Sequence, residues 1–328
     1  MTEQPQVIII KNGNGLEAQI SNLGASILSL LVPDKNKKLV NVVVGLALPE
    51  DYYAEKYLND CKYLGASIGR WAGRISGGKF KIDDTIYELY NENGVHLHGG
   101  KEGFDKKYWN VDEVSESSVT LSYLSKNLEE GYPGNLQTTV TYTLTENNEL
   151  KIVYEATTDK TTPVNLTNHA YFNLDGNGSV LDHELELKSD WIIELDEQLL
   201  VTGKLLKTKG TPYDFKSKSK IGKTDFNGMD DIFVLNSNDD SYKVSLSSSK
   251  TGIEMKVFTN QPALVIYTPP KLPKLSYKGG VEYSDYSTIC FETESYPDAV
   301  NQPSFPSALL NPGETYLNET VFKFNVTN

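Results

Sequence analysis

Histidine is the side chain best suited to moving protons near neutral pH, and this 328-residue chain has only four. Two of them lie in the segment Asn93-Gly-Val-His96-Leu-His98-Gly-Gly100. On a strand, a His-x-His pattern points both imidazoles to one face, which suits a metal ion, whereas a glycine-flanked turn more often exposes one side chain to a cleft. The spacing therefore leaves metal ligation, catalysis or binding, and a structural role open for His96 and His98.

A third histidine lies among polar and aromatic residues. Three asparagines flank His169 in the sequence: Asn165, Asn168 and Asn173. Such side chains can satisfy one another and fix the tautomer of an imidazole, as a catalytic histidine requires. The pattern predicts a functional role for His169, with Tyr171 and Phe172 as core residues. The fourth histidine, His183, stands between two acidic residues and is predicted to lie at the surface.

A carboxylate near the C-terminus completes the chemically capable side chains. Glu292 follows the short apolar run 289–291, where a strand would aim its side chain inward. A buried carboxylate must find partners or shift its pKa, so Glu292 is a candidate general base. An ordinary salt-bridged glutamate is the competing interpretation.

The elements that must position these residues are predicted to be strands. Period-two alternation, typical of strands with one buried face, recurs along the chain at 119–123, 139–144, 150–156, 242–246 and 253–257. Short polar connections such as 146–148 indicate antiparallel hairpins. Helical periodicity is scarce: the one candidate is 49–58, with Tyr53, Tyr57 and Leu58 on a shared face.

Composition excludes several classes of protein. With 31 basic and 44 acidic residues the formal charge is −13, which disfavours a nucleic-acid partner. The chain has no run long enough to span a membrane and no long linker or fixed repeat, so residues 1–328 are predicted to form a single cytoplasmic domain. Cys61 and Cys290 are expected to be buried thiols. The lysine-rich stretch 204–223 is predicted to be a solvated loop, with phosphate binding as the alternative.

Taken together, the motifs resemble the aldose 1-epimerase family, also called galactose mutarotases. The similar segments follow one another in order along nearly the whole chain: 15–25, 64–75, 93–100, 165–174, 210–215, 228–231, 291–294, 297–303 and 310–316. The resemblance implies an all-β antiparallel supersandwich with few short helices and an open cleft. Both implications agree with the alternation described above.

The resemblance also implies roles for individual residues. Glu292 matches the general base of the family, His169 the general acid, and His98 the second active-site histidine. Arg74 and Asp230 match substrate-binding positions, and Val265 matches a position that lines the sugar site. Three aromatic residues are candidates for sugar stacking or for the core: Trp71, Trp109 and Phe172.

The reaction implied is interconversion of the α and β anomers of a free aldohexose such as galactose or glucose. Ring opening removes the proton from the O1 hydroxyl and protonates the ring O5, so a base and an acid are needed on opposite sides of C1. No electron sink, hydride carrier or activated water is required, so no cofactor or metal is expected. The sequence leaves a monomer and a homodimer open.

Two positions depart from the family pattern. Family members often carry Asn before the second arginine of Gly-Arg-x-x-x-Arg, where this chain has Gly73, so one polar contact is expected to be missing. The family commonly has Gln where this chain has Val265, which leaves the preference between galactose and glucose open.

Three alternative functions stay open at this point. A glycoside hydrolase could use Asp230 and Glu292 as an acid and nucleophile pair, but it gives no role to the histidines. A non-catalytic sugar-binding module could share the fold. A metal-dependent isomerase could use His96, His98 and His169.

Overall fold

The alternating segments of the sequence form strands in a computed structural model, which describes residues 4–60, 63–223, 226–235 and 241–327. In chain order, the strands are β1 (Val7–Lys11), β2 (Glu17–Ser21), β3 (Ser26–Pro33), β4 (Leu39–Asn41), β5 (Ser67–Ile68), β6 (Arg74–Ser76), β7 (Lys79–Ile82), β8 (Thr85–Glu88), β9 (Val95–Leu97), β10 (Asn110–Val114), β11 (Ser118–Ser125), β12 (Leu136–Thr145), β13 (Glu149–Thr158), β14 (Thr162–Pro163), β15 (Thr167–Asn168), β16 (Tyr171–Phe172), β17 (Glu184–Leu187), β18 (Trp191–Leu195), β19 (Val201–Lys207), β20 (Ser219–Lys220), β21 (Asp230–Val234), β22 (Val244–Ser247), β23 (Ile253–Thr259), β24 (Ala263–Tyr267), β25 (Ile289–Glu294), β26 (Leu309–Leu310) and β27 (Tyr316–Val326).

The predicted strands are confirmed, with their ends displaced by a few residues. In β12 the side chains at alternate positions, from Leu136 to Leu144, are buried, and β13 repeats the pattern from Leu150 to Ala156. The two strands pair from Leu136 with Thr158 to Thr145 with Glu149. The segment 146–148 is therefore the tight hairpin connection that its polar residues predicted.

Three larger antiparallel sheets organise the described residues. The nine-stranded sheet has the order β10-β11-β12-β13-β27-β23-β22-β17-β20, the six-stranded sheet the order β16-β25-β24-β21-β18-β19, and the four-stranded sheet the order β1-β2-β3-β4. One continuous cluster of buried side chains draws on all three sheets. Phe172 of β16 contacts Phe291 in its own sheet and Phe322 in the nine-stranded sheet, with ring centroids 6.2 and 5.0 Å apart. The predicted all-β sandwich is confirmed.

The predicted helix at 49–58 is shorter and broken. A 3-10 turn spans Pro49–Tyr53 and the α-helix α1 spans Glu55–Asp60, because extended backbone at Ala54 separates them. Tyr52 and Tyr57 are buried, whereas Tyr53 is exposed, so the predicted apolar face was wrong at Tyr53. Four other short 3-10 turns lie at Phe104–Lys106, Glu129–Gly131, Lys278–Gly280 and Ala299–Asn301. None of the helices among the described residues is long and apolar enough to cross a bilayer.

The lysine-rich stretch 204–223 is partly strand, since it begins within β19 and includes β20. Four of its lysines lie against separate acidic residues, in the pairs Lys204–Glu194, Lys216–Asp190, Lys218–Glu184 and Lys220–Asp182. Because these pairs are dispersed and largely exposed, the stretch offers no converging set of cations for a phosphate.

The structure also tests the predictions for the cysteines and for His183. Cys290 is a buried thiol in β25, as expected, whereas Cys61 lies outside the described residues. His183 was wrongly assigned to the surface: it is 1% exposed, and its Nε2 accepts a hydrogen bond from the backbone N–H of Leu174. The imidazole accepts the hydrogen bond that a strand carbonyl would otherwise accept from this buried N–H. The acidic neighbours of His183 along the chain gave no sign of this contact.

Candidate active site

One face of the six-stranded sheet packs into the core, and the other carries the candidate site. In β25 every residue from Ile289 to Glu294 is buried. Phe291 packs into the core, and Glu292, the next residue, points to the opposite face of the sheet. The register pairs Glu292 with Val265 of β24, and Val265 with Ile232 of β21. Directly paired residues share a face, so β21, β24 and β25 place their side chains together.

Glu292 is the buried carboxylate that the sequence predicted. It is 2% exposed, and its Oε1 lies 3.4 Å from the Nε2 of His169. Its Oε2 has no hydrogen-bond partner among the described residues. The two side chains that the motifs suggested for acid–base chemistry therefore touch each other.

His169 is fixed through the backbone. Its N–H donates to the carbonyl of Ala66, and its carbonyl accepts from the N–H of Gly65. Gly65 has a φ of +69°, and a Cβ there would lie 2.0 Å from the carbonyl oxygen of Ile27, so only glycine fits this turn. The close approach of this turn anchors the imidazole beside β25.

The asparagines of the motif anchor the backbone instead of the imidazole. Asn165, Asn168 and Asn173 donate to the carbonyls of Ala72, Gly65 and Ser287 respectively. The Nδ1 of His169 has no hydrogen-bond partner among the described residues. The prediction that these asparagines fix the tautomer of His169 was therefore wrong, because they tie neighbouring segments together.

His96 and His98 point to different places, because β9 ends at Leu97 and His98 adopts a φ of +48°. The ring nitrogens of His96 lie 2.6 Å from the Tyr90 carbonyl and 2.6 Å from the Tyr132 hydroxyl, in the core. His98 faces the site, and its Nδ1 accepts a hydrogen bond of 3.2 Å from the N–H of Gly73. The neutral imidazole of His98 consequently carries its proton on Nε2, which makes it a fixed donor.

Arg74 and Asp230 form the polar wall of the site. Arg74 opens β6 and Asp230 opens β21, and Nη2 lies 3.5 Å from Oδ2. Both side chains are partly exposed, so a ligand can reach them. Val265 pairs with Glu292 and supplies an aliphatic surface to the smaller pocket that adjoins this carboxyl.

Three tyrosines surround the imidazoles. Tyr171 stacks on His169 with a centroid distance of 4.9 Å, and Tyr63 lies on the opposite side at 5.7 Å. Tyr267 approaches the edge of the same ring at 6.3 Å. Tyr63 also contacts His98 at 4.8 Å. The aromatic rings pack around both imidazoles, of which His169 is buried and His98 is partly exposed.

Sequence reasoning missed Tyr63, Tyr267 and the second buried carboxylate, Glu294. Period-two spacing was the available signal, since Tyr267 lies two residues after Val265 and Glu294 two after Glu292. The three candidates for stacking lie elsewhere: Trp71, Trp109 and Phe172 are at most 2% exposed in core clusters. The core alternative was correct for all three.

The side chains around Glu292 and His169 line an open cleft of about 330 Å³. Its lining comprises Asn59, Tyr63, Arg74, Leu97, His98, His169, Tyr171, Asp230, Tyr267 and Glu292. Ligand sites of this size combine apolar surface with a few converging polar groups. The cleft can therefore hold a small polar molecule against the pair of Glu292 and His169.

Burial dominates the electrostatics of the pair. It raises the pKa of Glu292 to about 8, with a further rise from the charge of Asp230 and an opposing effect from Arg74. Burial lowers the pKa of His169 to about 4. Between pH 4 and pH 8 the pair therefore holds one proton. A pair with one proton can donate a proton at one site and accept a proton at the other.

Three groups could in principle surround a metal ion. His98, His169 and Glu292 each offer a ligand atom within 4.8 Å of the others. A metal-bound histidine normally donates its second N–H to an acceptor, but Nδ1 of His98 faces the N–H of Gly73. The protonated Nε2 of His98 has no lone pair for an ion, so this geometry fits a metal poorly.

Comparison with known proteins agrees with the motifs over the length of the chain. The sequence model of the aldose 1-epimerase family matches residues 6–323. Galactose mutarotase from Homo sapiens is 41% identical over 320 residues, which cover 95% of this chain and 92% of that protein. Aldose 1-epimerase from Escherichia coli strain K12 is 35% identical over 334 residues, covering 97% and 95% respectively.

Solved structures give the same result for the fold. A GalM/aldose epimerase homologue from C. elegans superposes with a TM-score of 0.92 at 31% identity, covering 99% of this chain and 100% of that one. Galactose 1-epimerase from Lactobacillus acidophilus gives a TM-score of 0.84 at 29% identity, with coverage of 99% and 95%.

Proposed function

This chain belongs to the aldose 1-epimerase family, and we propose that it interconverts the α and β anomers of a free aldohexose, with Glu292 and His169 as its acid–base pair. The observation that carries the proposal is the 3.4 Å contact between these buried side chains in an open cleft. The enzyme is an isomerase, as its relatives are.

The pKa values of about 8 and about 4 place the single proton of the pair mainly on Glu292, and ring opening uses the tautomer in which this proton has moved across the contact to His169. The Glu292 carboxylate takes the proton from the O1 hydroxyl, the imidazolium of His169 gives its proton to O5, and the C1–O5 bond breaks to leave an aldehyde. Side chains 3.4 Å apart do not match the expected placement on opposite sides of C1. Because O1 and O5 are both bonded to C1, two neighbouring groups can still serve both oxygens. After rotation about C1–C2 the groups exchange roles, and the ring closes on the other face of the carbonyl.

The remaining polar groups hold the sugar hydroxyls. Arg74 and Asp230 offer charge-assisted hydrogen bonds, and His98 offers its Nε2–H. Fixing the ring against the acid–base pair reduces the entropic cost of reaching the transition state. Val265 places an aliphatic surface beside Glu292, where no hydroxyl can be bonded.

The core and the composition support further parts of the proposal. We infer that residues 1–328 form one domain, and the buried cluster that draws on all three larger sheets supports this inference. The site is built from a single chain, so a monomer or a homodimer can act, and the buried thiol of Cys290 suits the reducing cytoplasm. The acidic charge of −13 disfavours a nucleic-acid partner.

Polarimetry with freshly dissolved α-galactose and α-glucose tests the proposal. The protein should bring either sugar to anomeric equilibrium faster than the spontaneous rate and leave a disaccharide uncleaved. Equilibration at the spontaneous rate would refute the activity, and release of monosaccharide would favour a glycoside hydrolase. Loss of turnover on treatment with a chelator, reversed by a divalent cation, would favour a metal-dependent isomerase.

A further inference from the structure

A second carboxylate lies behind the acid–base pair. Glu294 follows Glu292 by two residues on β25, so both side chains point to the same face. Glu294 is 0% exposed, and neither of its oxygens has a hydrogen-bond partner among the described residues. The Oε2 of Glu292 lacks one as well. A buried carboxylate with no compensation is strongly disfavoured, so Glu294 needs either a partner or its proton, and Glu292 is the neighbouring carboxyl on the same face.

The cation that acts on Glu294 is Arg74, and it forms its ion pair with a different carboxylate. Arg74 lowers the pKa of Glu294, but the ion pair that its guanidinium forms is with Asp230, at 3.5 Å. Burial outweighs that effect and raises the pKa of Glu294 well above its usual range, and the negative charges of Glu292 and Asp230 raise it further.

Two other titratable groups face the same region, and neither provides a free donor. The oxygens of Asp298 accept hydrogen bonds from Ser76 and Asn301. The hydroxyl of Tyr316 donates to the carbonyl of Leu166. A third group, His98, lines the pocket beside Glu294, but no hydrogen bond joins its Nε2–H to that carboxyl. Glu292 is therefore the partner considered for Glu294.

The position of Glu294 is fixed by close packing. A Cβ at Gly73 would lie 3.2 Å from its Oε1 and 3.0 Å from Pro297, so the carboxyl occupies the space in front of that glycine. Glu294 also lines a small pocket that has an aliphatic part, with Leu195, Val201 and Ile232, and a charged part, with Arg74 and Asp230. A carboxyl enclosed in this way has a low-dielectric surrounding that favours its neutral form.

We propose that Glu294 is a neutral carboxylic acid whose O–H donates a hydrogen bond to the carboxylate of Glu292 and so acts as a positioning residue. The inference rests on the proposed acid–base role of Glu292. The hydrogen bond stabilises the carboxylate without adding charge and leaves Oε1 turned toward His169. Glu294 itself does not need to reach the substrate, since its oxygens are fully buried.

Two substitutions at the same position separate a hydrogen-bond donor from a charge. In Glu294→Leu the donor is lost, so kcat should fall about 10- to 100-fold with KM changed less than about threefold, and the basic limb of the pH profile should move upward. Glu294→Gln is the matched control, because its amide can donate the same hydrogen bond. It should restore kcat to within about fivefold of the wild type, with the basic limb within about half a pH unit.

Infrared difference spectroscopy reads the protonation state independently of turnover. A carboxylic-acid C=O band should persist in the wild type at pH 9, above the pKa of Glu292, and should be lost in Glu294→Gln. A basic limb lowered by more than about one unit in Glu294→Gln would show that Glu294 is charged and would overturn the proposal, as would the absence of that band. Wild-type kcat and pH profile in Glu294→Leu would overturn the positioning role. If Glu294→Leu does not fold, the profile and spectrum of Glu294→Gln still decide, and an inactive wild type would instead refute the activity itself.

Discussion

Replacement of Glu292 by glutamine tests the central feature of the site, a buried carboxyl that must also ionise. The amide keeps the size of the side chain but cannot accept the O1 proton. We expect kcat to fall by about 10²- to 10⁴-fold, the usual contribution of a general base, which corresponds to roughly 3–5 kcal/mol in activation free energy. Sugar binding should persist, because Arg74, Asp230 and His98 are unchanged.

The same substitution should change how stability depends on pH. The pKa of Glu292 is raised to about 8 in the folded protein from a usual 4.5. The folded state therefore binds the proton more tightly than the unfolded state, so stability is full below pH 4.5 and is lost as pH rises toward 8. At roughly 1.4 kcal/mol per unit, the loss approaches about 5 kcal/mol, and Glu292→Gln should not suffer it. The variant should thus be more stable than the wild type at pH 8.5 and nearly equal at pH 4.5.

Polarimetry gives kcat, and urea unfolding at pH 4.5, 6.5 and 8.5 gives the stability difference. Glu319→Gln is a control, since that partly exposed carboxylate pairs with Lys151 on the far sheet and should alter neither quantity. A Glu292→Gln variant with more than a tenth of wild-type kcat would refute the role as base. A stability difference that stays constant with pH would refute the raised pKa of the buried Glu292 carboxyl.

Three further predictions follow from other contacts. The dependence of kcat/KM on pH should be bell-shaped, with limbs near pH 4 and pH 8. Below the pKa of His169 neither group of the pair can accept a proton, and above the pKa of Glu292 neither can donate one. A flat profile from pH 6 to 10 would contradict the one-proton pair. Arg70→Ala should lower the free energy of unfolding by about 3–5 kcal/mol without changing kcat of the folded protein, since the buried guanidinium donates to Ser125 and to the carbonyls of Lys126, Pro133 and Gly134. Urea titration measures the stability and polarimetry measures kcat. A variant that loses turnover but keeps its stability would contradict this prediction. Val265→Gln should change the ratio of kcat/KM for galactose and glucose by about threefold or more, because an amide beside Glu292 can bond a hydroxyl that valine cannot; an unchanged ratio would mean that Val265 does not line the bound sugar.

The departure at Gly73 has a physical explanation. The sequence suggested that a polar contact would be missing there. In the structure Gly73 has a φ of +75°, and the space that a side chain would need is filled by Glu294 and Pro297. The polar group in this part of the site comes from β25 instead of from the turn before β6.

The sequence by itself determined the class of fold and the side chains capable of chemistry. Alternation in β12 and β13 depends only on neighbouring residues, and so does the inward direction of Glu292 after its apolar run. Motif order then indicated the family.

Only the tertiary structure decided which of these side chains meet. The positive φ at the end of β9 turned His98 toward the site and left His96 in the core, and His183 is buried by a hydrogen bond to Leu174. The contact between His169 and Glu292 joins segments far apart in the chain, through strand register and the tight turn at Gly65. Long-range packing of this kind sets distances, burial and pKa values, and no local pattern of residue types encodes it.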